Sequence, residues 1–370
     1  ELGVEEFLRD YYLHATRVEQ FWSLMVSKCL RPDERTRGIV GYLVRRPIGE
    51  GFFIVKGELS VPDEKVVAEN PARLMMLFEY ARKHGAGIGV QVKKLVRENL
   101  HLVNDRFRRS KEVNASFFSI LRGSKGVGDT LRLMHYLGLL NRYIPEFERI
   151  HCKAQHDVYH IYTVDIHSLF ALEEIVRLRS GERREELPLL TRIAGEVEKP
   201  ELLLLAALLH DIGKGEGGNH SEKGAAMIPT ISRRMGLTRE DGERLEFLVH
   251  HHLLLAHIAQ RRDLHDEKMI IQFARQMGTS ENLKMLYLLT YADLKAVGPD
   301  VWTEWKARLT EELYEKTFTV LERGDFRLEA RSERVKNVRK KALDILGEDC
   351  PTALAKEELK ALSTRHLLSN

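Results

Sequence analysis

Hydrophobic positions along most of this chain recur with the 3.6-residue period of amphipathic helices. Val4, Phe7, Leu8, Tyr11, Tyr12, Ala15, Val18, Phe21, Trp22 and Met25 trace one drifting stripe, which predicts a long helix over 4–29. The habit breaks at 51–61, where GFFIVKGELSV places β-favouring residues on both sides of Lys56-Gly57. That pattern predicts one small hairpin. Helical spacing resumes at 72–83, entered from Pro71 and closed by Gly85-Ala86-Gly87. GSKGVG (123–128) reads as a loop capped by Asp129 before a helix over 129–140, since it matches no phosphate-binding loop and follows no strand. NRYIPEFE (141–148) reads as a connector stopped at Pro145. Long apolar helices follow at 163–178, 200–209 and 283–297. The predicted class is mainly α: a helical N-terminal region over 1–140, a histidine-rich helical unit over 141–324, and a charged helical segment over 325–370.

Composition narrows the possibilities without naming a chemistry. With 43% hydrophobic and 31% charged residues the chain is an ordinary folded protein. The 58 basic and 55 acidic residues leave a net charge of +3, which gives no general attraction to nucleic acid. The basic stretches at 106–109 and 334–341 read as solvated helix faces. Cys29, Cys152 and Cys350 form no CxxC pair, as expected of reduced thiols in a cytoplasmic protein. The longest apolar run, 202–209, is far below the ~20 residues that span a bilayer, so no membrane partner is expected. The opening Glu reads as the start of a piece of something longer.

Helix 200–209 (PELLLLAALL) is apolar on nearly every face and ends in His210-Asp211. One such pair is explained as readily by a helix end with a satisfied histidine. Its companions tip the balance: His167, His220, the run His250-His251-His252 and Asp293 all sit on or beside apolar helices. An unpaired carboxylate or imidazole is costly in such surroundings. Imidazole and carboxylate donors without thiolate suit Mn, Fe, Mg, Co or Zn. A bridging Asp211 would serve two divalent ions and make metal-assisted phosphate-ester hydrolysis the expected chemistry. In that scheme His167, His210, Asp211 and Asp293 hold one ion, and His220, His251 and His252 the other. Adjacent helical residues point about 100° apart, so the three consecutive histidines cannot face one ion equally. Gly213 and Gly215 would let backbone approach a ligand. Lys214 is expected to take part in catalysis with Asp211 by contacting a phosphate oxygen, and Arg261 and Arg262 are candidates for the same anion. His156, Asp157 and His160 read as rim or structure.

LLLAALLHDIGKGEGGNHSEKGA, LVHHHLLLAHIAQRRD and YLLTYADLKAVGPDVWTEWKA, with QHDVYHIYTVDIHSL before them, resemble the central HD domain of the bacterial PII uridylyltransferase/uridylyl-removing family. GFFIVKGELSV, ARLMMLFEYARKHG and LVNDRFRRSKEVNASFFSILRG resemble that family's middle segment, and the likeness extends over essentially the whole chain. The nucleotidyltransferase motif and any ACT pattern are missing from this sequence. The resemblance therefore implies the removing activity alone: hydrolysis of UMP from a tyrosine of uridylylated PII, with Mn or Mg. It carries the ligand roles to His167, His210, Asp211 and Asp293, and to His220, His251 and His252. His250 departs from the family pattern, which has an acidic residue before the histidine pair. Two further readings remain: an HD nucleotidase or small-nucleotide phosphodiesterase, and a helical scaffold that binds PII without turnover.

Overall fold

The computed structural model describes residues 2–30, 45–63, 65–154, 162–216, 218–298 and 300–324. His156, Asp157, His160, Cys350 and the expected helical segment over 325–370 lie outside these. The fold is mainly α. Helix α1 (Leu2–Leu30) leads into strands β1 (Arg46–Gly49), β2 (Phe52–Val55) and β3 (Glu58–Ser60). Next come α2 (Val66–Glu69), α3 (Arg73–His84), β4 (Gly87–Ile88), α4 (Val90–Glu98), α5 (Asp105–Arg108), α6 (Lys111–Arg122) and α7 (Val127–Tyr136). Short α8 (Leu139–Tyr143) and α9 (Pro145–Glu148) precede α10 (Val164–Arg179), α11 (Pro188–Glu196) and α12 (Pro200–Leu209). Helices α13 (His220–Met235), α14 (Arg239–His251), α15 (Leu254–Arg261), α16 (Glu267–Met277), α17 (Ser280–Val297) and α18 (Glu304–Arg323) complete the described chain.

The predicted hairpin is present as β2–β3, with Ile54 opposite Leu59 and a turn in which Lys56 (φ 52°) and Gly57 (φ 80°) are both left-handed. This is the turn geometry that matches strand twist. A second turn of the same kind at Glu50-Gly51 adds β1, and β4 joins β3 in parallel, giving a four-stranded sheet. The NRYIPEFE connector is helical instead: Pro145 ends α8 and starts α9, where its missing N–H is needed by no carbonyl. Asp129 is likewise not a cap but lies in the first turn of α7, entered through the left-handed Gly126.

One core of buried side chains runs from Phe52 to Leu321. Helix α12 lies at its centre, with every side chain from Leu202 to Leu209 buried. Each leucine there contributes roughly 1.5–3 kcal/mol relative to exposure. Pro200 begins the helix, and α6, α10, α14 and α17 surround it. By contrast the apolar stripe of α1 is exposed, with Phe7 at 69%, Phe21 at 65% and Trp22 at 67%. No helix among the described residues is long and apolar enough to cross a membrane.

Candidate metal centre

Six elements meet where α12 ends. His210 caps α12, and Asp211 begins the short 3-10 turn that continues over Ile212–Glu216. His167 comes from the first turn of α10, His220 from the start of α13, His252 from the end of α14 and Asp293 from the last turns of α17. His210 and Asp211 are almost wholly buried, whereas His220 and Asp293 retain some exposure and form the open side.

The donor atoms fall into two groups that share Asp211. In the first, His167 Nε2 lies 3.3 Å from His210 Nε2 and 3.0 Å from Asp293 Oδ1. Asp211 Oδ2 faces this group, 3.4 Å from His210 Nε2 and 3.7 Å from His167 Nε2. In the second, His220 Nε2 lies 3.3 Å from His252 Nε2. Asp211 Oδ1 faces these two at 3.5 and 3.7 Å. One carboxylate thus presents one oxygen to each trio.

Backbone carbonyls orient two of the imidazoles. His210 Nδ1–H donates to Ala207 O and His252 Nδ1–H to Val249 O, each at 2.8 Å. With Nδ1 holding the proton, Nε2 of each ring is left to present a lone pair to the cluster, the arrangement that positions a metal-binding histidine. Burial lowers the pKa of His252 to about 4 and also lowers that of His220, keeping both neutral. Burial opposes charge on His210 too, but Asp211 and Asp293 outweigh it and raise that group to about 10, so with no other cation beside these carboxylates its Nε2 takes up a proton in the place where a metal would bind. Both carboxyls remain well below the ordinary range: burial opposes ionisation, and His210 with Lys214 at Asp211, or His167 with His210 at Asp293, overcomes it. Buried anionic oxygens faced by imidazole nitrogens make a cavity that demands positive charge. A donor set of imidazole nitrogens and carboxylate oxygens fits divalent metal.

The second group corrects the expectation drawn from the histidine run. His252 enters it, and His251 does not. One residue along a helix turns the side chain by about 100°, and His251 accordingly packs beside Phe247 and His250, with ring centroids 4.8 and 4.5 Å away. The third donor of the group is Asp211 Oδ1. Arg261 and Arg262 are exposed and line a separate cavity of about 630 Å³ with Ile258, Asp263 and Met269, none of which belongs to the cluster. Lys214 does reach the site, its Nζ 2.6 Å from Asp211 Oδ2. Gly213 approaches protein backbone rather than a ligand: a Cβ there would meet His220 O at 2.0 Å and Gly224 N at 2.6 Å. Gly215 is similarly pressed against Arg149.

Sequence reasoning passed over a further trio, buried His135 and Asp165 with half-buried His151, behind α10. The available signal was Asp165 two residues before His167, a carboxylate on an apolar helix.

Comparison with known proteins agrees with this architecture. Residues 52–143 match the family described as "Uridylyltransferase GlnD third domain", and residues 166–276 match the HD domain family. The chain is 36% identical over 350 residues to the bifunctional uridylyltransferase/uridylyl-removing enzyme of Nitrosococcus oceani, covering 94% of this chain and 39% of that protein. It is 36% identical over 337 residues to the enzyme of the same name from Azospirillum brasilense, covering 90% of this chain and 36% of that protein. The chain therefore spans less than two fifths of the length of these relatives. A solved CCA-adding enzyme in complex with CTP superposes with a TM-score of 0.41 and 11% identity, covering 85% of this chain and 60% of that one. A likeness that distant carries no argument about this chain.

Proposed function

We propose, from the match of residues 166–276 to the HD domain family and the similarity to uridylyl-removing enzymes, that the chain is a metal-dependent phosphodiesterase that removes UMP from a uridylylated tyrosine of PII. The observation that carries the chemistry is the division of Asp211 between two donor groups. His167, His210, Asp211 Oδ2 and Asp293 would hold one divalent ion, and Asp211 Oδ1, His220 and His252 the other. Such a pair supplies an activated water and neutralises charge on the phosphoryl group.

The protein's own part is to position and to exclude. Ala207 O and Val249 O hold the His210 and His252 rings in place. The surrounding leucines of α12 keep bulk water from the deep side, which strengthens every electrostatic contact at the site. Lys214 Nζ, on the accessible side, would hold a non-bridging phosphate oxygen. Access past His220 and Asp293 suits a diester presented on a protein side chain. The identity of the ester is supported by the relatives, which are named uridylyl-removing enzymes and are similar along nearly the whole of this chain. The GlnD third-domain match over residues 52–143 adds to that support.

The test is release of UMP from uridylylated PII in the presence of Mn²⁺ or Mg²⁺. Asp211→Asn should abolish release while the protein stays folded. Turnover of free nucleotides with no UMP released from PII would replace this reading with a small-molecule phosphohydrolase. Stable PII binding with no turnover in either metal would replace it with a scaffold.

A further inference from the structure

Behind α10, on the side away from the HD cluster, lies a second constellation with the features of a metal site. His135 comes from the end of α7, His151 and Cys152 from the segment after α9, and Asp165 from the first turn of α10. His135 Nε2 lies 3.0 Å and His151 Nδ1 2.9 Å from the same oxygen, Asp165 Oδ2. All three donors lie within 4.8 Å of one another. These separations resemble the 3.0–3.7 Å spacings of the HD cluster. They also approach the ~3.3 Å between donors placed tetrahedrally about an ion with bonds of ~2.0–2.1 Å.

Two details separate this trio from a chance meeting of polar groups. His135 Nδ1 lies 2.8 Å from Asn141 Oδ1, an acceptor that holds the proton on Nδ1 and leaves the Nε2 lone pair facing a carboxylate oxygen. A proton or a metal ion must stand between Nε2 and that oxygen, and counting metal distinguishes the two. Asp165 is 1% exposed, and its Oδ1 is buried without a hydrogen bond among the described residues, although Thr163 stands close by. A buried carboxylate oxygen in that state is expensive unless it binds something.

Cys152 stands beside the trio, its sulfur against the His151 ring. It is buried, its Sγ lies 3.8 Å from His151 Nδ1, and its own N–H donates to Asp165 Oδ2 at 3.0 Å. Its φ of 53° is a left-handed conformation that a non-glycine residue adopts at a cost. That conformation brings the N–H onto Asp165 Oδ2 and leaves the sulfur beside the His151 ring.

We propose that His135, His151 and Asp165 form a structural site for one Zn²⁺-class ion, separate from the candidate HD metal centre, and that rotation of the neighbouring Cys152 side chain would add a thiolate as fourth ligand. Imidazole, carboxylate and thiolate together suit a borderline metal and are poor ligands for Mg²⁺ or Ca²⁺. Asp165⁻ and a Cys152 thiolate balance the double charge of the ion in this buried place. The ion would tie together α7, the segment around His151 and the start of α10. Because Asp165 is two residues before His167 on α10, it would brace that helix from the face opposite the HD cluster.

The experiment counts Zn²⁺ on the whole chain and does not depend on hydrolysis. In an Asp211→Ala, His252→Ala background, which disables the HD cluster, one tightly held equivalent should remain by elemental analysis. Adding His151→Ala should release it, and Asn141→Ala should weaken it by about 10–100-fold through loss of the imidazole's orienting acceptor. His151 is partly exposed, so its variant tolerates replacement better than one at Asp165; circular dichroism checks that it is folded. Co²⁺ in the same background should show thiolate-to-metal charge-transfer absorption that Cys152→Ser removes. Zn²⁺ content unchanged by His151→Ala and by His135→Gln would overturn the site and leave a hydrogen-bonded trio. Cobalt bound without the thiolate band would overturn the role given to Cys152.

Discussion

Gly213→Ala perturbs the candidate metal centre without replacing any of its donor side chains, and its size can be worked from the structure. An added Cβ would stand 2.0 Å from the carbonyl oxygen of His220, where contacts under 3.0 Å are not tolerated. The obstacle is backbone on both sides, His220 O and Gly224 N, so no side-chain rotation relieves it. The start of α13 must withdraw by roughly 1 Å, and His220 moves with it. Overpacking of this kind costs about 1–3 kcal/mol, and a displacement of that order at a reacting centre reduces turnover by about 100-fold. With an unfolding entropy of about 2.1 cal/mol/K per residue over the roughly 300 described residues, the melting temperature should fall by about 2–5 °C. Differential scanning fluorimetry with and without Mn²⁺ measures this. The stabilisation that Mn²⁺ gives the wild type should shrink in the variant. Gly195→Ala is the control: it lies in α11 with nothing within 4 Å of the added carbon and should be neutral or stabilising by up to about 1 kcal/mol. A Gly213→Ala protein with unchanged melting and an unchanged response to Mn²⁺ would refute the close-approach argument.

His252→Ala should lose metal and nearly all hydrolysis, whereas His251→Ala should retain activity within a few-fold; equal losses would show that the helix is rotated from the position described. Leu204→Ala, at the centre of α12, should destabilise the chain by about 2–5 kcal/mol in urea melts without a specific effect on metal stoichiometry. The 2.6 Å pair of Lys199 with Asp241 makes stability pH-dependent. Burial works to raise the Asp241 pKa, but Lys199 and Arg244 bring it below its ordinary value, and the hydrogen bond to Asp241 raises that of Lys199. A lowered carboxyl stabilises the fold above its unfolded pKa of about 3.9 and loses that contribution as pH falls through the folded value. A raised lysine contributes below about 10.4 and loses it above. The pair therefore contributes between these limits, by about 1 kcal/mol or less because Lys199 is partly exposed. Asp241→Asn should be less stable than wild type at about pH 6, and the deficit should shrink as pH falls below about 3.9; a deficit that does not change with pH would exclude the ion pair as the cause.

Much of the site was legible because burial imposes a simple rule on sequence. PELLLLAALL has no polar face, so α12 had to be central, and whatever ended it had to be buried with it. His210, Asp211, His167, His220 and Asp293 followed from the cost of placing charged or polar donors on such helices. The choice of His252 over His251 was not legible. Periodicity gives the angle between neighbouring side chains but not the rotation of α14 against α12 and α13, and that rotation is set by packing.

The same limit explains the other differences. The stripe on α1 was correctly helical, but period alone does not say what covers it, and in this structure Phe7, Phe21 and Trp22 face outward. Pro145 was a stop in the sequence and is also a start, because only the surrounding core decides whether the next residues turn again. Arg261 and Arg262 follow the histidine helix in sequence yet line a different cavity, since α15 leads the chain away from the cluster. The trio around Asp165 needed α7, the segment after α9 and α10 to meet. The sequence by itself determined the helical class, the central position of α12 and the donor types around His210-Asp211, all of which follow from local period and the cost of burial. The tertiary structure alone decided which donors stand together, because that depends on distances between residues up to 126 positions apart, which no local pattern encodes.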